Sequence, residues 1–549
     1  MKKVHWFILG TLVCLTTVAG MYFWATGLIS SLYNFRSPLH AAPLQPGPPV
    51  GAALTRRVVF VLIDALREDT SLNPTGMPYL NELRGQAAWA TMHSRVPSYS
   101  EPGYTVLLTG AWPDISDGPA MNLDYVDIPT WTQDNLFSAA HRAGLKTAVS
   151  GYNWFEKLIP QSDVTDSFYT EGEDAAADVD VMAAAQPILA GSDQFVLIHL
   201  DQVDYAGHYQ GGPRDPRWDE AARRTDGMLR QVTAQMDLKQ DTLIVLSDHG
   251  QIDRGGHGGQ DPIALIEPFV MLGARVKPGH YSDIQMVDVA PTIAVMLGLN
   301  LPAANQGHPL IDMLAVPTEE LAPIQTALAS QQRQLEQAYM TAIGEKTMNV
   351  QVGSGQDVVK PYQQAIDKAR TQRLNQERTL RIPLAILLAA IPAIILILRR
   401  DKKVLWLLGG ALLYVLLFNL IYAVIAGRTY SLSSVASQMD IIVFTCVTAS
   451  VSLAITWLLT MLVQKTFLNK PFEAAGNSLA LVLMTIYVLA LPVLLSFAWN
   501  GALVTWTIPD FLTMFLGFLS ILQALMVATV GLVLTASAAL VARVVNKSH

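Results

Sequence analysis

Six long apolar runs place this 549-residue chain in a membrane. The first covers residues 6–29 and follows Lys2 and Lys3, and five more follow residue 380. A run of about 20 apolar residues is long enough to cross the hydrocarbon core of a bilayer. The sequence therefore predicts a transmembrane anchor over residues 1–35 and a membrane bundle of about five helices over residues 381–549. The later apolar runs are 382–398, 404–426, 441–463, 479–499 and 511–541.

The two terminal runs each allow a second interpretation. The first begins like a cleaved signal peptide, but it is longer than a usual signal core and no small-residue cleavage site follows it closely, so we expect an uncleaved anchor. The last is long enough for one tilted span or for two shorter spans. Between the anchor and the polar region, the prolines of residues 36–57 favour an extended linker.

Loop charge predicts how the spans are oriented. Residues 399–403, 464–470 and 542–549 carry lysine or arginine and fall on alternate loops, whereas residues 431–440 and 500–510 carry little positive charge. Positive loops face the cytoplasm. We therefore expect both termini to be cytoplasmic and the polar region to lie outside the cytoplasm. The short loops, and an ending without an endoplasmic-reticulum retention signal, favour a prokaryotic cell membrane.

Charge and cysteine content exclude several classes of protein. The formal net charge is −8 and no block of lysine and arginine is large enough to neutralise nucleic-acid phosphates, so we expect no nucleic-acid partner. The spans contain almost no ionisable residues, which disfavours a transporter. The two cysteines, Cys14 and Cys446, lie in apolar runs and provide no disulfide framework.

The polar region alternates apolar strands with helical patterns, which predicts an α/β fold. Its strands read as continuous apolar cores, typical of a mostly parallel sheet with helices on both faces. We assign residues 58–315 to this catalytic domain. Ligands of such folds bind beyond the carboxyl ends of the strands. The strand-like segments are 56–66, 145–151, 194–201, 241–248 and 267–273.

Residues 316–380 have polar helical patterns on either side of a turn at residues 352–357. A helix that is polar on most of its surface is typical of a solvated connection. We therefore predict a helical stalk that acts as a spacer between the catalytic domain and the membrane bundle. A lid or a membrane-surface element is the alternative.

Side chains that bind metals stand at the predicted strand ends. Aspartate and histidine together suit a divalent cation, with zinc first and manganese as the alternative. Paired cations clamp the attacking and leaving oxygens of a phosphoryl displacement. Asp204 and His208 are four residues apart and share a helical face, whereas the adjacent Asp248 and His249 would point to opposite sides of an extended chain. The candidate ligands from these stretches are Asp64, Asp204, His208, Asp248, His249 and His257.

A hydroxyl-rich stretch, residues 97–110, offers the candidate nucleophiles Ser98, Ser100 and Thr105. A metal-bound serine becomes a nucleophile near neutral pH. Taken singly these features are weak, because a strand-end aspartate is more often a helix cap and a histidine in a glycine loop is usually just solvated. Their occurrence together in one α/β domain favours a metal site.

Four motifs in this order resemble the alkaline phosphatase superfamily, and in particular its type I phosphodiesterase/nucleotide pyrophosphatase and GPI ethanolamine-phosphate transferase branch. They are VLIDALR at 61–67, Ser100 nine residues before Thr109, VDYAGH at 203–208 and DHGQIDRGGHGG at 248–259. The likeness extends over about residues 57–312. Two positions depart from the branch, because Ser100 replaces a threonine and Gln251 replaces a methionine.

The resemblance implies two zinc-type sites and a phosphoryl-transfer reaction. One metal would be held by Asp64, Ser100, Asp248 and His249. The other would be held by Asp204, His208 and His257. The implied enzyme is a membrane-bound phosphotransferase that works through a phosphoserine and moves a phosphoethanolamine-type head group from a lipid to a membrane-associated glycan or lipid.

Two other functions remain open. An extracytoplasmic phosphodiesterase or nucleotide pyrophosphatase would pass the phosphoryl group of a lipid or nucleotide to water. A structural or lipid-binding module would keep the metals without catalysis, although all seven motif positions are present. The order of anchor, catalytic domain and multi-span bundle resembles the GPI transferases, with a smaller bundle.

Overall fold

The computed structural model describes residues 2–351, 357–399, 403–435 and 437–545. They divide into two compact units. The helical unit comprises Met1–Ser31, Leu374–Val504 and Pro509–His549, and the sheet unit comprises Leu32–Arg373 and Thr505–Ile508. The predicted turn at 352–357 lies, except for Asp357, outside the described residues.

The helices of both units, in chain order, are α1 (Lys2–Tyr33), α2 (Glu68–Ser71), α3 (Pro78–Arg84), α4 (Ser100–Thr109), α5 (Pro113–Ser116), α6 (Leu136–Arg142), α7 (Trp154–Leu158), α8 (Ala175–Ala190), α9 (Gln202–Tyr209), α10 (Pro216–Ala234), α11 (Val289–Leu297), α12 (Thr318–Ala342), α13 (Lys360–Arg399), α14 (Lys403–Asn419), α15 (Gln438–Val463), α16 (Pro471–Asn500) and α17 (Phe511–Val545). A π-helical segment, Leu420–Ile425, continues α14.

One sheet organises the sheet unit, in the order β4-β3-β5-β1-β6-β7-β2-β8, with β9 paired to β2. The pairs from β4 to β6 are parallel, and β7 is antiparallel to both β6 and β2. The predicted mostly parallel sheet is therefore confirmed. Its strands are β1 (Arg57–Ile63), β2 (Ala88–His93), β3 (Thr147–Tyr152), β4 (Asp166–Thr170), β5 (Phe195–Leu200), β6 (Asp241–Leu246), β7 (Ile266–Gly273), β8 (Gly279–His280) and β9 (Ile284–Gln285).

Strand β1 shows why this sheet is buried on both faces. Because successive side chains of a strand point to opposite faces, Phe60 packs into one apolar core with Leu107 of α4, and Val61 packs into a second core with Leu229 of α10. Every residue of β1 is buried. The continuous apolar run in the sequence therefore reflects helices on both faces, as predicted.

The polar stretch after residue 316 does not behave as a solvated spacer. Helix α12 buries Ile324 and Leu328 in the same core as Phe60. At the start of α13, Gln363 donates a hydrogen bond to Gln332 of α12 at 2.8 Å. The spacer interpretation is wrong because a narrow apolar stripe on an otherwise polar helix is enough to dock it.

Within the described part of the chain, six helices are long and apolar enough to cross a membrane, and the last run forms one helix, α17. Inside the helical unit, Tyr414 and Phe418 of α14 pack in one core with Leu453 of α15 and Val482 of α16. Parts of the loops used to predict orientation lie outside the described residues. These parts are residues 400–402, Ala436 and residues 546–549. Orientation therefore remains a prediction.

A buried glutamate in the sheet provides a test of the packing around β7. Glu267 is fully buried, and Ser94 donates a hydrogen bond of 2.6 Å to it. Burial raises the pKa of Glu267 well above its usual 4.5. The carboxyl group is therefore protonated in the native state over a range of pH where an unfolded glutamate is ionised. Its contribution to stability is complete below the unfolded pKa and is lost as the pH rises.

We expect Glu267→Gln to stabilise the protein increasingly as the pH rises from about 5 to about 8, because the amide stays neutral. A gain of roughly 1 kcal/mol corresponds to a rise in Tm of about 1–2 °C for a unit of this size. Thermal unfolding at several pH values would measure this rise. The exposed Glu220→Gln is the control, and an equal gain at both ends of the pH range would contradict the prediction.

Candidate metal centre and active site

The seven predicted site residues meet at the carboxyl ends of the parallel strands. Strands β5, β1 and β6 are neighbours in the sheet. Asp64 follows β1, Asp204 and His208 lie on α9 directly after β5, and Asp248 follows β6. Parallel neighbours end at the same edge, so the sheet gathers residues that are far apart in sequence. The other members of the site are Ser100, His249 and His257.

The first cluster converges on the Nε2 atom of His249. This atom lies 3.1 Å from the Ser100 Oγ atom. It also lies 3.4 Å from the Asp64 Oδ1 atom and 3.4 Å from the Asp248 Oδ2 atom. All four side chains are buried. Four donor atoms of the types that bind zinc or manganese thus face one point.

The second cluster contains the other three predicted ligands. The Nε2 atoms of His208 and His257 are 2.8 Å apart. The Asp204 Oδ2 atom lies 3.4 Å from the His208 Nε2 atom, and the Asp204 Oδ1 atom lies 3.6 Å from the His257 Nε2 atom. This group, like that of Asp64, Asp204 and His249, has its ligand atoms within 4.8 Å of one another.

The two clusters are immediate neighbours. The imidazole rings of His249 and His257 stack with their centroids 3.9 Å apart. Asp204 contributes to a group of ligand atoms in each cluster. The geometry therefore places the two groups that the resemblance implied next to each other.

Hydrogen bonds fix the tautomers of the two stacked histidines. The Nδ1 atom of His249 donates to the Gly250 carbonyl at 3.1 Å, and that of His257 donates to the Ser98 carbonyl at 2.9 Å. Burial lowers the pKa of His249 to about 4 and that of His257 to about 3. Both rings are therefore neutral at pH 7 and present an Nε2 lone pair to the site, as metal-binding histidines do.

The carboxylates also fit a cation. Among the described residues, the Asp64 Oδ1 and Asp248 Oδ2 atoms are buried without a hydrogen-bond partner. Burial and then the charge of Asp64 raise the pKa of Asp248 well above its usual value. An ionised buried carboxylate is stable only with a compensating charge. The donor set therefore fits divalent cations.

Glycines allow the chain to approach this site closely. A Cβ atom on Gly103 of α4 would lie 2.8 Å from the Cβ atom of Asp248. Gly255, Gly256 and Gly258 have φ values of +84°, +109° and +100°, which side chains rarely adopt. The glycine-rich loop thereby turns back and brings His257 to Asp204 and His208 in the second cluster.

The three candidate hydroxyls have different roles. Only Ser100 faces the metal cluster. The Ser98 Oγ atom donates to the Gly259 carbonyl at 3.0 Å and accepts from the Gly258 amide at 2.9 Å, so it holds the glycine loop. Thr105 donates to the carbonyl of Glu101 at 2.7 Å inside α4.

Sequence reasoning missed two side chains that contact Asp64. The His199 Nε2 atom lies 3.0 Å from the Asp64 Oδ2 atom, and the Tyr104 hydroxyl donates to the same oxygen. Both contacts leave Oδ1 for the cluster. A histidine within the apolar strand β5 was the available signal. His199 also forms a further possible ligand group with Asp64 and Asp201, whose ligand atoms lie within 4.8 Å of one another.

Gln251 has a structural reason to depart from the methionine of the related branch. Its Nε2 atom donates to the Asp204 Oδ1 atom at 2.5 Å, and its Oε1 atom accepts from the Gly256 amide at 3.0 Å. The side chain therefore links a predicted metal ligand to the glycine loop. A methionine makes neither hydrogen bond.

Comparison with known proteins defines the class of this site. Residues 58–267 match the family model for type I phosphodiesterase / nucleotide pyrophosphatase. The human GPI ethanolamine phosphate transferase 2, catalytic subunit, is 27% identical over 304 residues, which cover 50% of this chain and 30% of the human protein. The mouse GPI ethanolamine phosphate transferase 3, catalytic subunit, is 25% identical over 370 residues, or 60% of this chain and 33% of the mouse protein.

The resemblance stated from the motifs is thus confirmed. Residues 58–267 are similar to the type I phosphodiesterase / nucleotide pyrophosphatase family, and about half of the chain is similar to GPI ethanolamine phosphate transferases. It spans about a third of the length of these two relatives.

Solved structures give more distant matches. Murine ectonucleotide pyrophosphatase / phosphodiesterase 5 in complex with AMP is 14% identical, with a TM-score of 0.40, over 47% of this chain and 100% of that chain. An alkaline phosphatase superfamily protein from Vibrio parahaemolyticus is 15% identical, with a TM-score of 0.37, over 50% of this chain and 74% of that chain.

We expect Gln251→Met to weaken metal binding at the second cluster by roughly 10- to 100-fold, because Asp204 loses the hydrogen bond that orients it. Competition with a chromogenic chelator would measure the affinity. The exposed Gln235→Met is the matched control. An unchanged affinity would show that Gln251 does not position Asp204.

Proposed function

We propose that this protein is a membrane-bound, metal-dependent phosphotransferase that cleaves a phosphodiester through a phosphoserine. It moves a phosphoethanolamine-type head group from a lipid to a membrane-associated glycan or lipid. The observation that carries the proposal is the position of Ser100, whose Oγ atom lies 3.1 Å from the His249 Nε2 atom beside both ligand clusters. The relatives named GPI ethanolamine phosphate transferases support the choice of head group.

The two clusters would hold the cations, with zinc first and manganese as the alternative. Asp64, Ser100, Asp248 and His249 form one ligand set, and the remaining predicted ligands, Asp204, His208 and His257, form the other. Two divalent cations supply positive charge that stabilises the phosphoryl oxygens and the ionised nucleophile.

Ser100 carries the group through two displacements. Its Oγ atom loses its proton and attacks phosphorus, and the bond from phosphorus to the lipid oxygen breaks. The lipid oxygen takes up a proton and leaves as an alcohol, and a phosphodiester remains on the serine. The hydroxyl of the acceptor then attacks the same phosphorus. The serine oxygen leaves and regains a proton, and the head group ends on the acceptor.

The acceptor distinguishes the proposed transferase from its alternative. If water is the acceptor, the same steps make a phosphodiesterase or nucleotide pyrophosphatase, a possibility favoured by the description of the matching family model. Six apolar helices favour a lipid or lipid-linked glycan substrate, since a soluble nucleotide does not require a multi-span anchor. We further propose, from loop charge, that the sheet unit is extracytoplasmic and that both termini are cytoplasmic. The short loops between the spans are the basis for proposing a prokaryotic cell membrane.

We expect full-length protein incubated with phosphatidylethanolamine labelled in its head group to acquire a phosphoethanolamine adduct on Ser100, detected by mass spectrometry. Ser100→Ala should lose the adduct and reduce phosphodiester turnover at least about a thousandfold, as removal of a nucleophile does. Ser98→Ala, which removes a hydroxyl that faces the glycine loop, is the control for the adduct site. Undiminished turnover by Ser100→Ala would disprove the serine mechanism, and lipid-independent release of a nucleoside monophosphate would favour the alternative.

We expect His257→Ala to lose one of two bound metal ions, because the second cluster keeps only two of its three ligands. Elemental analysis of the purified protein would measure the metal content. His141→Ala removes an exposed histidine of α6 and should keep both ions. Ser100→Ala is also expected to keep both metal ions. If all three variants have the same metal content, the two clusters are not the binding sites.

A further inference from the structure

An acidic and aromatic group flanks the second cluster. The sheet order β4-β3-β5 places the end of β4 two strands away from the end of β5. Tyr152 is the last residue of β3, and Glu173 follows β4 by three residues. Adjacent strands are about 4.8 Å apart. Tyr152 and Glu173 therefore lie at the same edge of the sheet as Asp204, on the side of β5 that faces away from β1.

Glu173 is a carboxylate without a basic partner. The Tyr152 hydroxyl donates to its Oε1 atom at 2.9 Å. Across the described ranges, no lysine or arginine forms an ion pair with it. Burial raises the pKa of Glu173, and the carboxylates of Asp204 and Asp64 raise it further against the opposing effects of Tyr152 and His208. An ammonium group bound beside Glu173 would favour its ionised form and would compensate the negative charge of these carboxylates.

Aromatic rings stand beside this carboxylate. Tyr152 and Trp154 pack edge to face with their centroids 5.0 Å apart, and Tyr205 and Tyr209 pack at 4.8 Å. Tyr209 is 66% exposed, although it directly follows the predicted ligand His208. Tyr209 lies on α9, directly after β5, and β5 is the sheet neighbour of β3, whose last residue is Tyr152.

We infer that Glu173, Tyr152 and Tyr209 form a subsite for an ammonium group carried on the phosphodiester substrate. A carboxylate supplies the counter-charge and aromatic faces attract the cation. A phosphoryl group at the metal clusters would then carry a primary amine on a short alkyl chain toward Glu173. The inference rests on the proposed function and gives that function a physical basis for selecting an aminoalkyl head group.

The geometry distinguishes this role from others that Glu173 could have. No hydrogen bond or ion pair between Glu173 and any of the seven predicted site residues occurs in the described part of the chain, so Glu173 does not hold the nucleophile or a ligand. A single carboxylate among phenol rings is also a poor cation cage, since metal sites combine several charged or imidazole donors. A soft organic cation suits these surroundings better.

The test compares two chromogenic diesters that share a leaving group and differ in one charge. The purified full-length protein is given p-nitrophenyl phosphoethanolamine and ethyl p-nitrophenyl phosphate. We expect the unmutated protein to have the higher kcat/KM for the amine. Glu173→Gln should reduce the ratio of the two kcat/KM values about tenfold, mostly through KM, as loss of a charge-assisted contact does. Tyr152→Phe should reduce the ratio less.

Glu171→Gln is the matched control, because it removes the same charge from an exposed position two residues away. Its ratio should equal that of the unmutated protein. Equal metal content and Tm in all variants would show that they are folded.

Three results would overturn the inference. An equal fall in kcat on both diesters would assign Glu173 to the chemistry. Absence of any preference for the amine in a protein that cleaves both diesters would remove the subsite and leave the proposed function standing. Cleavage of neither diester, with both metals bound, would reject the proposed function and the subsite with it.

Discussion

Burial of several carboxylates at one point is the constraint on which the rest of this site depends. Asp64 and Asp248 are removed from water beside one another, and the charge of Asp64 opposes ionisation of Asp248. Neutral histidines and a hydroxyl surround them and supply lone pairs without positive charge. Such a group is stable as anions only when cations complete it. With cations bound, the same group would hold concentrated positive charge beside the Ser100 hydroxyl, which is the chemistry that the proposed function uses.

Much of this arrangement could be predicted from the sequence, because the strand-end residues Asp64, Asp204 and Asp248 sit next to clear apolar runs. The side chains that orient them could not. Tyr104 is one apolar-looking position in α4, and only the tertiary fold brings its hydroxyl to Asp64. Helix α12 was misjudged for a related reason, since its buried stripe is masked by its many polar residues. Glu173 carried no local signal, because its relation to the site depends on strand order.

The stacked histidines illustrate how local backbone chemistry prepares a site before any ligand arrives. Each ring gives its Nδ1 proton to a backbone carbonyl, one from Gly250 and one from Ser98. The two carbonyls come from segments far apart in the chain. Correct folding of the stretch around Ser98 therefore sets the tautomer of His257, so the segment that carries the proposed nucleophile Ser100 also prepares a candidate ligand of the neighbouring cluster.

Gln251 also limits how this protein can change over time. A Cβ atom on Gly207 would lie 1.8 Å from the Gln251 Oε1 atom, and one on Gly255 would lie 1.9 Å from the Gly207 carbonyl oxygen. The three positions interlock, and each restricts the side chains that the other two accept. Position 255 must stay glycine whichever residue occupies position 251, because a side chain there would meet the Gly207 backbone. We therefore expect positions 207 and 251 to vary together among related sequences.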